Sequence, residues 1–572
     1  MFNRLPAALA LLRPGRLLLA SSPRSLTGAR RPLGAMEPAA VRCLPGEPKL
    51  TISFRLDGSN KHMLRDQDEA LGKVLARITN GIAKSQKAKK SKKNSKGPPR
   101  QSPEPAAVKL YYEGQEVSDA VPNSEAWRDG AVLQVGDVKY AIRRNAPTFT
   151  AAELPVSLLA EFPVCPNLEV EFGNLQDCEF ICPEAAGEPP RGDGGWTEVG
   201  RGRVHVPSNQ DVGHRLKLLC IPKDGARAGS AEELVSAGAV EAGPGVCTFD
   251  NRHAYTAKEA EWPAVRVVTY NILADVYAQT ELSKTVLYPY CAPYALQLDY
   301  RQNLIKKELA GYKDKCVSVL SVRRMSLDAF GLDGVFRIKE KQHEGLAMFY
   351  RRSKFQLLSR HDIVLREALT SDPIHSALLE RVSANSALKG KILQRATVLQ
   401  VSVLEDLKKA GRKVCVANTH LYWHPKGGNV RLVQMGVALQ HLSHVINEHA
   451  PGAPPDSLFL LPSAGVFQLL SETAIPLQHA DWRSSGPEES ISMELLSAFP
   501  PLLSACGQPA YTNYVGGFHG CLDYIFIQPD SMQVEQVIPL PSHQEVTTYE
   551  ALPSVAHPSD HIALICDLRW NP

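Results

Sequence analysis

Apolar strands that end in polar residues alternate with amphipathic helices along the last part of the chain, from Val265 onward. The pattern predicts strands at 266–275, 345–350, 396–403, 413–417, 522–527 and 561–568. It predicts helices at 300–312 and 430–446. Strands with helices outside them and polar groups at their ends indicate a four-layer α/β sandwich, which we expect to span 262–572.

The first part of the chain has shorter elements, and residues 46–145 are expected to form a small α+β domain. Its predicted elements are, in chain order, strand 49–56, helix 67–83, strand 108–112 and strand 132–142. A run of lysines interrupts this domain and ends at Gly97-Pro98-Pro99. Such a run indicates a disordered loop at 84–100, and an arm that contacts RNA is the alternative.

Residues 150–248 alternate between apolar and polar positions in short runs that are separated by turns rich in glycine and proline. This pattern predicts a β-sandwich of the immunoglobulin type. A linker near 248–263 then leads into the last domain. The chain is therefore expected to be multidomain, with β-rich N-terminal domains before the sandwich.

The first 36 residues contain six arginines and no acidic residue. This composition is typical of a mitochondrial transit peptide, so we predict a leader at 1–36 and a location in the mitochondrial matrix; the alternative is a disordered basic tail. The net charge of +4 becomes −2 over 37–572, because those six charges are removed. A strongly basic nucleic-acid-binding surface is therefore excluded, and any site for a polyanion has to be local.

Several common binding patterns do not occur in the sequence. The 12 cysteines show no Cys-x-x-Cys spacing and no paired Cys/His cluster, which argues against a zinc finger. No apolar run is long enough to span a membrane, so we expect no membrane partner. No obligate protein partner is predicted either.

Three polar segments at strand ends carry the candidate chemistry. Asp560 and His561 are adjacent just before an apolar run, and Asp523 lies inside the apolar run Gly520–Phe526. His420 follows the strand that ends in Asn418-Thr419. A carboxylate beside an imidazole holds the ring in one tautomer for acid–base work, so together these segments indicate a hydrolytic site.

Four motifs in this order resemble the endonuclease/exonuclease/phosphatase superfamily, and within it the deadenylase-related branch. The motifs are Thr269-Tyr270-Asn271-Ile272-Leu273-Ala274-Asp275, Asn418-Thr419-His420-Leu421-Tyr422-Trp423-His424-Pro425, Leu522-Asp523-Tyr524-Ile525-Phe526 and Ser559-Asp560-His561. The resemblance implies Mg²⁺-dependent cleavage of 2′,5′-linked and 3′,5′-linked oligoadenylates, and removal of poly(A) from mitochondrial RNA. The implied partners are oligoadenylate and poly(A) RNA.

The resemblance also implies a role for each matching side chain. His561 would be the base that activates water, with Asp560 orienting it, and His420 would contact the scissile phosphate. Asn271 and Asp523 would support the metal and the nucleophile. Pro425 and Phe518 resemble a pair that sandwiches an adenine ring, which would give affinity without a basic groove.

Two motifs of the superfamily are absent from this chain. Where the family pattern has Gln-Glu-Val-Asp after a strand, with the glutamate as principal metal ligand, this chain has Arg323-Arg324-Met325. Where the family has Gly-Asp-Phe-Asn, this chain has Pro462-Ser463-Ala464-Gly465. Mg²⁺ prefers oxygen ligands, and the possible remaining contributors are Asn271, Asp523 and Asp560.

Glu344 is a candidate substitute ligand, and an ordinary strand-end contact is the alternative. Loss of the main metal carboxylate lowers the rate by roughly 10²-fold to 10⁴-fold. Three explanations of the missing motifs stay open: a faulty gene model, a genuine product that binds adenylates without cleaving them, or an active enzyme with rearranged ligands. The predicted function is an impaired phosphodiesterase, and a catalytically inactive oligoadenylate- or RNA-binding protein is the alternative.

Overall fold

The computed structural model describes residues 36–56, 59–91, 107–186, 195–313, 315–320, 326–340, 344–449, 458–461 and 466–571. Residues 1–35 of the predicted leader lie outside this set, as do the segments 321–325 and 462–465 that carry the two departures from the superfamily pattern. No helix in the described part of the chain is long and apolar enough to cross a membrane.

The N-terminal part folds as a seven-stranded sheet. In spatial order its strands are Ser59–Asp66, Lys49–Leu56, Glu37–Arg42, Val138–Arg144, Val132–Val135, Val108–Tyr112 and Gln115–Glu116. The helix Leu71–Ser91 packs on this sheet through Leu71, Val74, Leu75 and Ile78, which recur at the helical spacing and are buried. A short helix, Asn123–Ala126, completes the unit.

This N-terminal unit differs from the prediction in three places. It includes the strand Glu37–Arg42, which lies before position 46. The single strand predicted at 132–142 is a hairpin, because the chain reverses at Gly136, whose φ of 60° suits glycine. The loop predicted from residue 84 begins later: the helix continues to Ser91, since lysine, alanine and glutamine all favour helix. The rest of that loop lies outside the described residues.

The middle part contains a four-stranded antiparallel sheet and a two-stranded one. The larger sheet has, in spatial order, Thr197–Arg201, Glu179–Ala186, His214–Ile221 and Glu232–Val235. The smaller one pairs Thr148–Glu153 with Asn167–Glu171. Both sheets contribute to one apolar core. Arg203 joins this part to the last domain through an ion pair with Asp328, 2.5 Å between Nη1 and Oδ2.

The last domain contains two large sheets of six strands each. The first large sheet has, in spatial order, Leu332–Ile338, Gly345–Arg351, Lys315–Leu320, Ala264–Asn271, Leu564–Trp570 and Met532–Val537. The second large sheet has Phe355–Val364, Val398–Asp406, Lys413–Thr419, Leu458–Leu461, Phe526–Ile527 and Leu503–Ser504. Two small pairs accompany them, Ala474–Ile475 with Leu495–Leu496 and Asn513–Val515 with Phe518–Gly520.

Helices cover the outer face of each large sheet. The helix Leu298–Gly311 packs on the first large sheet. The second large sheet is covered by Leu365–Ser371, Ser376–Ser383, Ser386–Leu393, Gly428–His449 and Phe467–Glu472. A third core, formed by Val265, Val267, Leu404 and Val414 among others, fills the space between the sheets. The predicted four-layer α/β sandwich is therefore confirmed.

Two parallel strand pairs bring the ends of four strands to the same edges. Asn271 pairs in register with Leu320, so the carboxyl ends of these two strands of the first large sheet lie side by side. Asn418 pairs in register with Leu461, which places two strand ends of the second large sheet side by side in the same way. Carboxyl ends of parallel strands are where α/β folds place ligands. Asn271 and Asn418 therefore lie at an edge that suits a ligand site.

Two of the predicted strands are shorter in the structure. The strand expected at 522–527 forms only at Phe526–Ile527, because the Thr512 hydroxyl accepts hydrogen bonds from the backbone N–H groups of Leu522 and Asp523. The strand expected at 561–568 begins at Leu564. Asp523 and His561 consequently lie on loops at the ends of strands, where they face each other.

Candidate active site

His561 is buried, and both ring nitrogens have a partner. Its Nδ1 lies 2.7 Å from Asp523 Oδ2, and its Nε2 lies 3.1 Å from Asn271 Nδ2. Asn271 cannot turn freely, since its Oδ1 accepts the Leu273 N–H at 3.1 Å and its Nδ2 is thereby aimed at the imidazole. We call these three side chains the His561 triad. In the neutral ring they favour the tautomer in which Nδ1 carries the proton and Nε2 accepts the Asn271 N–H.

The carboxylate that orients His561 is Asp523, so the expectation that Asp560 does this is wrong. The chain bends at residues 558–560, and the Asp560 carboxylate has a different partner. Its Oδ2 accepts a hydrogen bond from the Tyr288 hydroxyl at 3.1 Å. Asp560 acts on the site through its charge and through its carbonyl, which accepts from Asn513 Nδ2 at 3.1 Å.

Two residues that the sequence analysis did not single out hold the triad together. The Ser559 hydroxyl donates to the carbonyl of Asn271 at 2.6 Å and accepts the His561 N–H at 3.1 Å. Arg301 is buried, and its Nη1 donates to the carbonyls of Leu273 at 2.8 Å and Pro558 at 3.2 Å. A helical arginine gives no sign of this role in the sequence, because its partners are backbone groups far along the chain.

Charge sets the proton affinity of His561. Burial lowers the pKa of this histidine, but the charges of Asp523 and Asp560 and the hydrogen bond from Asp523 outweigh burial and raise the pKa to about 9. Asn271 acts in the opposite direction, since its amide N–H can be accepted only by an unprotonated Nε2. His561 is therefore a strong base, and Asn271 is the hydrogen-bond partner of its neutral form.

A second group of side chains lines a cleft of about 340 Å³ beside the triad. The cleft is lined by Tyr277, Lys339, Glu340, Glu344, Arg366, Gln394, Arg395, Ala396, Thr397, His420, Leu421, Tyr422 and Trp423. Burial lowers the pKa of His420 well below its usual value, and the charges of Lys339 and His561 add to this effect. Lys339 Nζ lies 3.3 Å from His420 Nδ1, so Nδ1 accepts and Nε2 carries the proton.

Glu344 forms a buried ion pair with Lys339, 2.8 Å between Oε1 and Nζ. This contact corresponds to the strand-end alternative. Glu344 also interacts with Tyr277, whose pKa rises to about 12, chiefly by burial and further by the Glu344 charge. Asn418 and Thr419 are structural too: Asn418 Nδ2 donates to the Ala347 carbonyl at 3.3 Å and so joins the two large sheets.

The two predicted adenine-binding residues lie on separate exposed loops. Phe518 begins the second strand of the hairpin Asn513–Gly520, and half of its surface is exposed. The hairpin is docked on the site, because Asn513 forms an isolated bridge with His561. Pro425 is exposed in the loop after the strand Lys413–Thr419, and its carbonyl accepts from Arg431 Nη2 at 3.4 Å.

Comparison with known proteins decides the family. A family model described as 2′,5′-phosphodiesterase 12-like, N-terminal domain, matches residues 146–241. The human protein named 2′,5′-phosphodiesterase 12 is 53% identical to this chain over 610 residues, which cover 99% of this chain and 100% of the human one. The chain belongs to the 2′,5′-phosphodiesterase 12 family.

Other members and relatives agree with this assignment. The mouse 2′,5′-phosphodiesterase 12 is 54% identical over 613 residues, covering 99% of this chain and 100% of the mouse protein. The CCR4-Not complex 3′-5′-exoribonuclease subunit Ccr4 of Mycosarcoma maydis is 24% identical over 363 residues, which cover 55% of this chain and 51% of that subunit. The 2′,5′-phosphodiesterase 12 family is thus a family of phosphodiesterases with nuclease relatives, and the fold of this chain is that of an enzyme.

The described residues of this family member do not offer a set of oxygen ligands for Mg²⁺. Asp523 is bonded to His561, Glu344 to Lys339, and Asp560 to Tyr288, each through one carboxylate oxygen. Glu344 Oε2 is buried without a hydrogen-bond partner, so this oxygen is open to a ligand. Among the described residues, however, these carboxylates do not form a group of three whose ligand atoms lie within 4.8 Å of one another. A magnesium ion needs near-octahedral oxygen coordination, so the described residues alone do not complete a magnesium site.

Proposed function

We propose that this chain is a phosphodiesterase that acts on 2′,5′-linked and 3′,5′-linked oligoadenylates and on the poly(A) tails of mitochondrial RNA. The observation that carries the proposal is the buried His561 triad at the carboxyl edge of the sheets. Membership of a phosphodiesterase family supports the reaction class. The adenylate substrate is supported by the resemblance and by the exposed aromatic ring of Phe518.

Each side chain of the site has a defined part in this proposal. Neutral His561 accepts a proton from a water molecule at Nε2 as that water attacks phosphorus, and Asp523 stabilises the imidazolium that forms. The Nε2–H of His420 donates to a non-bridging phosphate oxygen. Phe518 stacks on an adenine, with Pro425 on the other side of the ring.

The resemblance implies Mg²⁺ as the cofactor, and its relatives make a divalent metal the general expectation for this fold. Such an ion would neutralise the charge that develops on the phosphate. The described residues alone do not complete a site for it, so no step is assigned to it here. We expect cleavage to be slower than in relatives that keep the missing carboxylates, by roughly 10²-fold to 10⁴-fold.

Binding of adenylates without cleavage is the second candidate function, and the Lys339–Glu344 ion pair favours it. The Lys339 ammonium group lines the cleft, lies 3.3 Å from His420 Nδ1 and neutralises the Glu344 carboxylate. The ion pair leaves no net negative charge to repel a phosphate, and it supplies no group that would activate a nucleophile.

The test is cleavage of 2′,5′-triadenylate by the purified full chain, with Mg²⁺ and with EDTA in parallel. Cleavage that disappears in His561→Ala supports the phosphodiesterase, and the rate in EDTA shows whether a metal ion takes part. If no product forms, the glutamate and the Asp-Phe-Asn residues of the superfamily motifs are grafted into 321–325 and 462–465. Recovery of cleavage would identify this chain as the binding form, and no recovery combined with no binding of triadenylate would contradict both candidates.

We also propose the mitochondrial matrix as the location, because residues 1–36 have the composition of a transit peptide. Processing of the leader predicts a mature N-terminus close to residue 37. The terminus is read by mass spectrometry on protein recovered from purified mitochondria. Recovery of chains that still begin at Met1 would contradict the proposal.

A further inference from the structure

A group of metal-ligating side chains lies in the helical layer outside the second large sheet. Asp372 precedes the turn Pro373–His375, His375 is its last residue, and His441 lies on the helix Gly428–His449. One ligand atom of each residue lies within 4.8 Å of those of the other two. None of the three residues lines the cleft beside His420 or belongs to the His561 triad. The group is therefore distinct from the candidate active site.

His375 shows most clearly that the group is prepared for a ligand. Its ring is completely buried, and its Nδ1 lies 2.8 Å from Gln440 Oε1. An amide oxygen only accepts, so Nδ1 carries the proton and Nε2 bears the lone pair. This Nε2 is buried without a hydrogen-bond partner. A buried acceptor without a partner is unfavourable, and a bound metal ion would satisfy it.

His441 and Asp372 complete the arrangement from the other side. His441 Nδ1 is likewise buried without a hydrogen-bond partner, and it lies 3.7 Å from Asp372 Oδ2. Bonds of about 2.0–2.1 Å in a tetrahedral zinc site put ligand atoms about 3.4 Å apart, so the group has to contract from separations of up to 4.8 Å to bind the ion. The other oxygen of Asp372 is already fixed, since Oδ1 accepts the Ile374 N–H at 3.0 Å.

The ligand types select the metal. Two imidazoles and one carboxylate suit zinc, whereas Mg²⁺ and Ca²⁺ prefer sites built only from oxygen. The Gln440 contact is the kind of outer partner that fixes the tautomer of a histidine ligand. We propose that Asp372, His375 and His441 form a zinc site, with water as the fourth ligand, that ties the turn Pro373–His375 to the helix Gly428–His449.

The test measures zinc binding to the full chain after chelation, with a reducing agent and an excess of Mg²⁺ present. Zinc is titrated against a chelating dye, and Co²⁺ is used as a spectroscopic substitute, since tetrahedral Co²⁺ gives intense visible absorption. The wild type is expected to bind one zinc ion that Asp372→Asn and His441→Gln do not bind. Asparagine keeps the cap on Ile374, so Asp372→Asn removes the ligand charge and leaves the turn intact.

Two further variants sharpen the result. Gln440→Leu should weaken zinc binding by roughly 10-fold to 100-fold, because the outer partner of His375 is lost. His62→Gln is the control; its exposed ring lies on the N-terminal sheet, 2.8 Å from Ser53 Oγ at Nδ1, and zinc binding should not change. Equal zinc stoichiometry in the wild type, Asp372→Asn and His441→Gln would overturn the proposal. So would loss of zinc by His62→Gln, or the absence of a Co²⁺ absorption band in the wild type.

Discussion

Replacing Asp523 by asparagine should remove most of the proton affinity of His561. The rise of the pKa from 6.5 to about 9, at 1.36 kcal/mol per pKa unit, corresponds to stabilisation of the imidazolium by about 3 kcal/mol. Burial is the largest single influence and lowers the pKa, so the Asp560 charge alone cannot compensate for it. In Asp523→Asn the pKa of His561 should therefore fall below 6.5.

The same shift predicts how stability depends on pH. The folded pKa of His561 lies above that of the unfolded chain, so its contribution is fully present below 6.5 and is lost as the pH rises through about 9. The free energy of unfolding should consequently decrease by up to about 3 kcal/mol across this window in the wild type. In Asp523→Asn this decrease should be absent, because the folded ring is then neutral throughout the window.

The assay is an NMR titration of ring-labelled histidines in EDTA, with His561→Gln used to assign the signal. At pH 7 about 1% of the wild-type rings should be neutral, so a base-catalysed rate should rise tenfold per pH unit up to about pH 9. A wild-type His561 that titrates at or below 6.5 would refute the reasoning. So would an unchanged midpoint in Asp523→Asn.

Three other substitutions probe the site and its support. Lys339→Met leaves Glu344 buried without its ion-pair partner, so the free energy of unfolding, measured by chemical denaturation, should fall by about 3–5 kcal/mol. The double variant Lys339→Met, Glu344→Leu should regain most of this loss. Equal stability of Lys339→Met and the wild type would contradict the buried pair. Phe518→Ala should weaken triadenylate binding by about 1–3 kcal/mol in calorimetry without lowering the melting temperature, and unchanged affinity would exclude stacking. Asp567→Asn should lower the free energy of unfolding by about 3–5 kcal/mol, because Arg266 is buried and bonds both oxygens of this carboxylate, at 2.7 and 2.9 Å. Arg569→Gln, which removes an exposed ion pair, is the control and should change stability little.

The sequence was informative where periodicity decides the structure and less so where distant residues meet. The strands that end near Asn271 and His420 are predictable, because each is an apolar run that stops abruptly at polar residues. Such runs form strands that pair through their backbone groups. The orienting carboxylate was misassigned because adjacency in sequence suggested Asp560. The contact that forms, from Asp523, depends on a loop that Thr512 holds in place.

The supporting residues escaped prediction for a related reason. Arg301 bonds carbonyl groups, which every residue has, so nothing in the sequence marks its partners. Apolar spacing does not indicate that the N-terminal helix extends to Ser91, because large apolar residues stop at Ile82 and helix propensity alone carries the last turns. The group of Asp372, His375 and His441 likewise has no local spacing signature, because a turn and a distant helix supply its members.

In this molecule, the strand pairing that stabilises the fold does not depend on the two segments that lack the superfamily motifs. Backbone pairing continues as far as Leu320 and Leu461, and the two altered segments begin only after these residues. Cellular quality control responds to unfolded chains, not to missing catalytic groups. We therefore expect this chain to fold and to escape degradation whether or not it cleaves a substrate.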